Sequence, residues 1–185
     1  MLIAVTGTPG TGKTLLCNYL EKKGYIVLRL NEIAVKNNFI LDFDKKRECN
    51  IVDIDKLSRY INKNYGDKDK PIFLDGHLSH LIDNLDKIII LRTKPVELKK
   101  RLLKKKWKKE KIRENLEAEI LDIITLEALE KHSINKIYEI DTTREKIQKL
   151  GKITLNIIHG RFKNDKTYAV GNINWLTDKN LKLLG

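Results

Sequence analysis

Residues Gly7 to Thr14 read Gly-Thr-Pro-Gly-Thr-Gly-Lys-Thr and match the pattern G-x-x-x-x-G-K-[ST] at each fixed position. The flanks restrict the fold further. Leu2-Ile3-Ala4-Val5 ahead of the motif is an apolar, partly β-branched run, and Leu15 to Lys23 behind it has helical spacing that Gly24 stops. Strand, glycine-rich turn and helix in that order make a concave nest. Its N–H groups point inward and the helix N-terminus adds its dipole, so phosphate is the ligand it suits. Gly10, Thr11, Gly12, Lys13, Thr14 and Leu15 are therefore expected to hold a nucleotide. Lys13 is expected to reach the β- and γ-phosphates, and the Thr14 hydroxyl to ligate Mg²⁺.

Strands and helices alternate from there on. Tyr25 to Leu28 reads as a second strand, and Asn31 as the cap of a helix that Asn37-Asn38 ends. Residues 39–53 have neither period and read as an inserted binding region. Asp53 is placed to cap a helix over Ile54–Lys63. Ile72-Phe73-Leu74 is a short buried strand that ends at Asp75-Gly76-His77, and Lys87 to Leu91 reads as a central parallel strand. Pro95 opens the next helix at its tolerated first turn. Leu116, Ile120, Ile123, Ile124 and Leu129 mark one long amphipathic helix. Lys136 to Ile140 is a last strand, and Asp141-Thr142-Thr143 is placed to cap a final helix reaching about Ile158. This alternation predicts an α/β fold, a three-layer core with a parallel five-stranded sheet. After Gly160, turn residues and isolated aromatics (Phe162, Tyr168, Trp175) read as an ordered extension or a docking peptide.

Charge is unevenly spread. The net charge is +12, and Lys94 to Glu114 holds eleven Lys/Arg against three Glu, so eight of the twelve charges sit in 21 residues. The stretch 104–114 reads as a mobile cationic lid over phosphates, flanked by Arg92 and Arg101 on more regular structure. RNA is the weaker partner, because basic and aromatic residues do not interleave repeatedly. Cys17 and Cys49 have neither metal nor disulfide spacing and are expected to be buried reduced thiols in a cytoplasmic protein. Met1 leads directly into the first strand, so no signal peptide is expected. No apolar run approaches membrane-crossing length, so no membrane partner is expected.

Asp75 stands at the end of an apolar strand, where a carboxylate can orient Mg²⁺ or its water. His77, two residues on, is a candidate for orienting a water or acting as general base. Asp141-Thr142-Thr143 follows another strand end, and with Arg144 it is a candidate contact to a base or ribose, or an ordinary helix cap.

Together these residues resemble adenylate kinase isoenzyme 6, an archaeal and eukaryotic group of small nucleoside monophosphate (NMP) kinases. The resemblance covers about residues 1–158. It rests on the glycine-rich loop, Asp75-Gly76-His77, Leu91-Arg92-Thr93, Arg101-Leu102, and the run Ile112 to Ile120 with Glu114-Asn115-x-x-x-Glu119-Ile120. It implies an NMP-binding insertion at about 29–52 and a short lid at about 104–114, and residues 159–185, outside the resemblance, read as a C-terminal extension. It further implies catalytic roles for Lys13, Asp75 and His77, with Mg²⁺ and ATP held by Thr14 and Asp75 and by the loop. The implied activities are reversible phosphoryl transfer between a nucleoside triphosphate and an NMP, and ATP hydrolysis. A link to late small-subunit (16S rRNA) maturation is also implied, through transient contact with a small-subunit ribosomal protein and the pre-30S particle. Two positions depart from the pattern. Lys105-Lys106-Trp107 stands where such lids carry Arg-Gly-Tyr, so Lys105 takes the ATP contact without the planar fork of arginine. His-Leu-Ser follows Asp75-Gly76 where ordinary adenylate kinases have Phe-Pro-Arg, which leaves Arg47, Arg92, Arg101 and Arg144 as candidates for the acceptor's phosphate. The alternatives are an ATP-switched ribosome assembly factor and a kinase of another small molecule.

Overall fold

The computed structural model describes residues 1–45, 49–66, 70–162 and 166–184. The element order is β1 (Leu2–Thr6), α1 (Lys13–Lys22), β2 (Ile26–Arg29), α2 (Leu30–Lys36), β3 (Ile40–Asp44), β4 (Cys49–Val52), α3 (Ile54–Tyr65), β5 (Ile72–Asp75), β6 (Lys87–Arg92), α4 (Pro95–Lys104), α5 (Lys109–Ile120), α6 (Ile123–Lys131), β7 (Ile137–Asp141), α7 (Ile147–Ile158) and α8 (Asp178–Leu181). Five strands form a parallel sheet in the order β2-β5-β1-β6-β7. The centre is therefore β1, with β6 beside it. Strand alternation sends Ile3 and Val5 to one face and Leu2 and Ala4 to the other. The first face packs under α1 and α7, the second under α2, α3 and α6. The sheet thus sits between two helical layers, with its carboxyl ends along one edge. Among the described residues no helix is long and apolar enough to cross a membrane.

Several local expectations hold. The Asp53 side chain accepts from the Lys56 amide at 3.0 Å and caps α3, a contact worth about 1 kcal/mol. Pro95 stands in the first turn of α4. Other expectations are corrected. Asn31 lies inside α2 rather than capping it, because β2 stays paired with β5 as far as Arg29 opposite Asp75, and the helix starts at once. The segment 39–53 contains an antiparallel hairpin, β3 with β4, and a bulge between Ile40 and Asp42 breaks the alternation that would have revealed it. The long helix expected over 116–129 is two helices: Asp122 takes a left-handed conformation (φ 56°), and its carboxylate pairs with Arg92. The final helix is not capped by Asp141-Thr142-Thr143. Those residues close a turn in which the Thr143 amide donates to Asp141 Oδ1 at 2.8 Å, and α7 starts at Ile147. Cys17 is buried as expected, but Cys49 is exposed on the hairpin.

The described part of the tail packs back on the body. Phe162 and Tyr168 meet edge to face at 4.9 Å, and Ala169 bridges Tyr138 on β7 in antiparallel fashion. Lys99 Nζ then donates to the Leu183 carbonyl at 3.1 Å. Leu184 joins the small core of Leu98, Leu102, Ile112 and Leu116 between α4 and α5.

Candidate active site

The loop between β1 and α1 turns through left-handed backbone at Gly7, Gly10 and Gly12. At Gly7 a Cβ would stand 2.4 Å from the Leu91 carbonyl oxygen, so glycine is required by contact as well as by φ. Gly12 (φ 106°) starts α1 and leaves its first N–H groups facing the cleft. Lys13 Nζ donates to the carbonyls of Gly7 at 2.6 Å and Thr8 at 3.1 Å. Burial lowers its pKa to about 8, against the opposing pull of Asp75 and Glu119.

A cavity of about 750 Å³ opens over this loop. Gly10, Gly12, Lys13, Thr14 and Leu15 line it, as do Asp75, His77 and Lys105, so nearly all of the expected site residues converge there. Thr11 is the exception. It is buried behind the loop, and its hydroxyl donates to the Thr8 carbonyl at 2.8 Å. Burial raises the Asp75 carboxyl above its ordinary range, and Lys13 and Arg29 pull it back. His77 keeps part of its surface in solvent. Crowding in the cleft nevertheless lowers its pKa to about 4, burial acting first and the Lys13 charge second, so the ring is neutral near pH 7.

A second cavity of about 630 Å³ adjoins the first and shares Pro9, His77 and Trp107 with it. Its walls come from the hairpin (Cys49), from α5 and from the start of α6, and they are largely apolar through Leu78, Ala118, Leu121, Ile123 and Ile124. The Trp107 ring, at the junction, carries Lys105 Nζ at 5.3 Å and Lys111 Nζ at 4.7 Å from its centroid.

The candidate arginines separate. Arg101 lines the first cavity and donates to the carbonyls of Thr142 (2.9 Å) and Thr143 (3.1 Å). Arg144, with Asp141 and Thr143, belongs to a different depression beside the start of α4. Thr142 is buried, and its hydroxyl donates to the Thr11 carbonyl at 2.8 Å, so it supports the loop from behind. Arg92 is not available to a phosphate. It is 2% exposed and paired with Glu119, Glu139 and Asp122. Burial opposes its charge, but the three carboxylates outweigh that and raise its pKa. Arg47 lies outside the described residues.

Two residues, Arg29 and His80, enter the site without having been singled out from sequence, and a third, Glu119, was marked only as part of a motif. Arg29 lines the first cavity beside Asp75, held by Glu21 at 2.8 Å and by Asn18 at 2.8 Å. Its signal was an arginine at the carboxyl end of a strand. His80 is fully buried, with Nδ1 3.0 Å from the Thr6 hydroxyl and Nε2 2.9 Å from Glu127, which lines the second cavity. Glu119 accepts a 2.6 Å hydrogen bond from the Thr8 hydroxyl. Its sequence spacing to Asn115 marked it, but spacing alone says nothing of this contact.

Comparison with known proteins bears on the family and the fold. The chain matches the AAA domain family over residues 3–122. A protein of Methanococcus maripaludis is 39% identical over 184 residues, covering 96% of this chain and 97% of its own. One of Archaeoglobus fulgidus is 40% identical over 178 residues, covering 96% and 93%. Both carry the name "Putative adenylate kinase". Among solved structures, shikimate kinase from Acinetobacter baumannii superposes with a TM-score of 0.57 at 19% identity, over 86% of this chain and 93% of that one. Deoxyadenosine kinase from M. mycoides does so with 0.54 at 16%, over 86% and 100%. At those identities the likeness concerns the fold, a parallel-sheet kinase fold built on a phosphate loop.

Proposed function

The chain belongs to the family of these archaeal relatives, and from that premise we propose that it is a nucleoside monophosphate kinase of the adenylate kinase type, moving the terminal phosphoryl group of ATP to AMP or another NMP. The observation that carries this reading is the pair of adjoining cavities sharing Pro9, His77 and Trp107. One is walled by the phosphate loop and suits a polyphosphate. The other is broad and largely apolar and suits the base of an acceptor nucleotide.

In this reading the loop amides and Lys13 hold the charge of the transferred phosphoryl group. Arg29, Arg101 and Lys105 add positive charge in the same cavity; Arg101 stays a candidate for the acceptor's phosphate and Arg29 joins it in place of Arg92. The lid is the connector 105–108 with the start of α5, and the insertion is α2 with the β3–β4 hairpin. Thr14 and Asp75 offer one hydroxyl and one carboxylate in that cavity, hard oxygen donors that fit Mg²⁺, an ion that takes one or two protein oxygens and completes its shell from phosphates and water. When bound, the ion neutralises charge on the β- and γ-phosphate oxygens. The neutral ring of His77 can accept a proton from water at a ring nitrogen, which supports a slower ATP hydrolysis beside transfer.

The test is ATP turnover with Mg²⁺, with and without each NMP, following ADP and NDP separately. Strong NDP formation with one NMP supports the kinase. Hydrolysis indifferent to every NMP overturns it. A second reading, an ATP-switched assembly factor gripping a small-subunit ribosomal protein, is favoured by the exposed Leu41 (64%), Phe43 (50%) and Ile51 (44%) on the hairpin. Pull-down of such a protein that depends on nucleotide state supports it; no capture in any nucleotide state counts against it.

A further inference from the structure

Glu119 lies on α5, the helix that follows the 105–108 connector, and is 2% exposed. One of its oxygens, Oε2, accepts from the Thr8 hydroxyl at 2.6 Å. The other accepts from Arg92 Nε at 3.0 Å and the Thr93 amide at 2.9 Å. Thr8 in turn braces the loop. Its carbonyl accepts from the Thr11 amide at 3.2 Å, the Thr11 hydroxyl at 2.8 Å and Lys13 Nζ at 3.1 Å. A short path of hydrogen bonds thus runs from α5 through Thr8 to the loop's lysine.

Neutralising Arg92 does not account for Glu119. Glu139 and Asp122 already pair with that guanidinium, so Glu119 brings surplus negative charge into a buried site. Burial pushes its carboxyl upward accordingly. What Glu119 adds that the other two carboxylates do not is the tie to the phosphate loop. We propose that Glu119 is a positioning residue for phosphoryl transfer, holding Thr8, and through it Lys13, in register with α5. A shift of α5 on lid movement is then carried to the lysine that meets the phosphates. This rests on the kinase reading above.

Three variants separate positioning from mere support. Thr8→Val cuts the tie at the loop and leaves Arg92 untouched. Glu119→Gln keeps the shape but turns the Thr8 contact into a neutral, weaker one. Glu139→Gln disturbs the Arg92 cluster without touching Thr8. Thr8→Val is expected to lower kcat by about tenfold while KM for ATP moves by less than about threefold. Glu119→Gln is expected to lower kcat by about threefold to fivefold, and the double variant should be no slower than Thr8→Val alone. Glu139→Gln should lower Tm at least as much as Glu119→Gln and keep kcat. Losses that multiply in the double variant, or a Glu139→Gln as slow as Glu119→Gln, overturn the proposal. If the wild type forms no NDP but hydrolyses ATP, the kinase reading fails while the same cycle, read on hydrolysis, still decides the role of Glu119. A folded wild type that turns over no ATP overturns both.

Discussion

The wall of the cleft that carries Lys13 grows from β1, whose residues are all buried and whose backbone is paired on both sides. The facing wall grows from a two-stranded hairpin and from the four residues between α4 and α5. The first wall holds its groups by sheet pairing and glycine geometry. The second holds Lys105 and Trp107 by ring contacts and a small core of four buried side chains. Segments with few buried contacts open at low free energy, so the second wall is the one expected to move and the first the one expected to stay fixed. Groups that act on the transferred phosphate belong on the fixed wall, and groups that capture and enclose substrate belong on the moving one.

Substitutions on the two walls should therefore differ in kind. Lys13→Ala, on the fixed wall, is expected to lower both transfer and hydrolysis on the order of a thousandfold at saturating ATP, measured as steady-state kcat. Asp75→Asn should cost about a hundredfold in kcat and raise the Mg²⁺ concentration needed for half-maximal rate, read from a metal titration. His77→Ala should lower hydrolysis about tenfold and transfer less, in paired assays of ADP release and NDP formation; equal losses would remove its separate role. Lys105→Ala should raise KM for ATP about tenfold and leave kcat within about threefold, and Lys105→Arg should lower KM below the wild-type value by restoring a planar fork. If Lys105→Ala removed more kcat than Lys13→Ala, the assignment of fixed and moving walls would be reversed.

The smallest effect is in pH dependence. Burial holds Lys13 to about 8 in the free protein. Phosphate charge raises that pKa on binding. ATP affinity should then be flat below pH 8 and weaken by up to about tenfold per unit above it, with one proton taken up per ATP bound. Titration calorimetry in two buffers of different ionisation enthalpy measures that uptake. No proton uptake at pH 9 would place Lys13 in a more solvated setting than this cleft.

What could be read from the sequence follows the same division. Loop, flanking strand, Asp75 and His77 are contiguous or sit at a strand end, and local pattern was enough to place them. Arg92 looked like a free cation at a strand end, because the carboxylates that bury it come from α5, the break between α5 and α6, and β7, and are remote in sequence. The hairpin was hidden by its bulge, and the break at Asp122 by apolar spacing that continues across it. Arg29 was legible only once its strand was known to end opposite Asp75. In each case the missing information was a tertiary partner, which overrides local periodicity.

The bridge between Tyr138 and Ala169 bears on solubility as well as on packing. Strand β7 is the last of the sheet, and a parallel edge left bare offers unpaired amides and carbonyls to any strand that meets it. Here Ala169 takes a position beside that edge, and Glu139, on the same strand, accepts from the Gly171 amide at 2.9 Å. The chain thus supplies its own cover for the edge. A neighbouring molecule at high concentration meets a partly occupied border, and the carboxylates of Glu139 and Asp141 on the strand itself add to the hindrance of edge-to-edge pairing there.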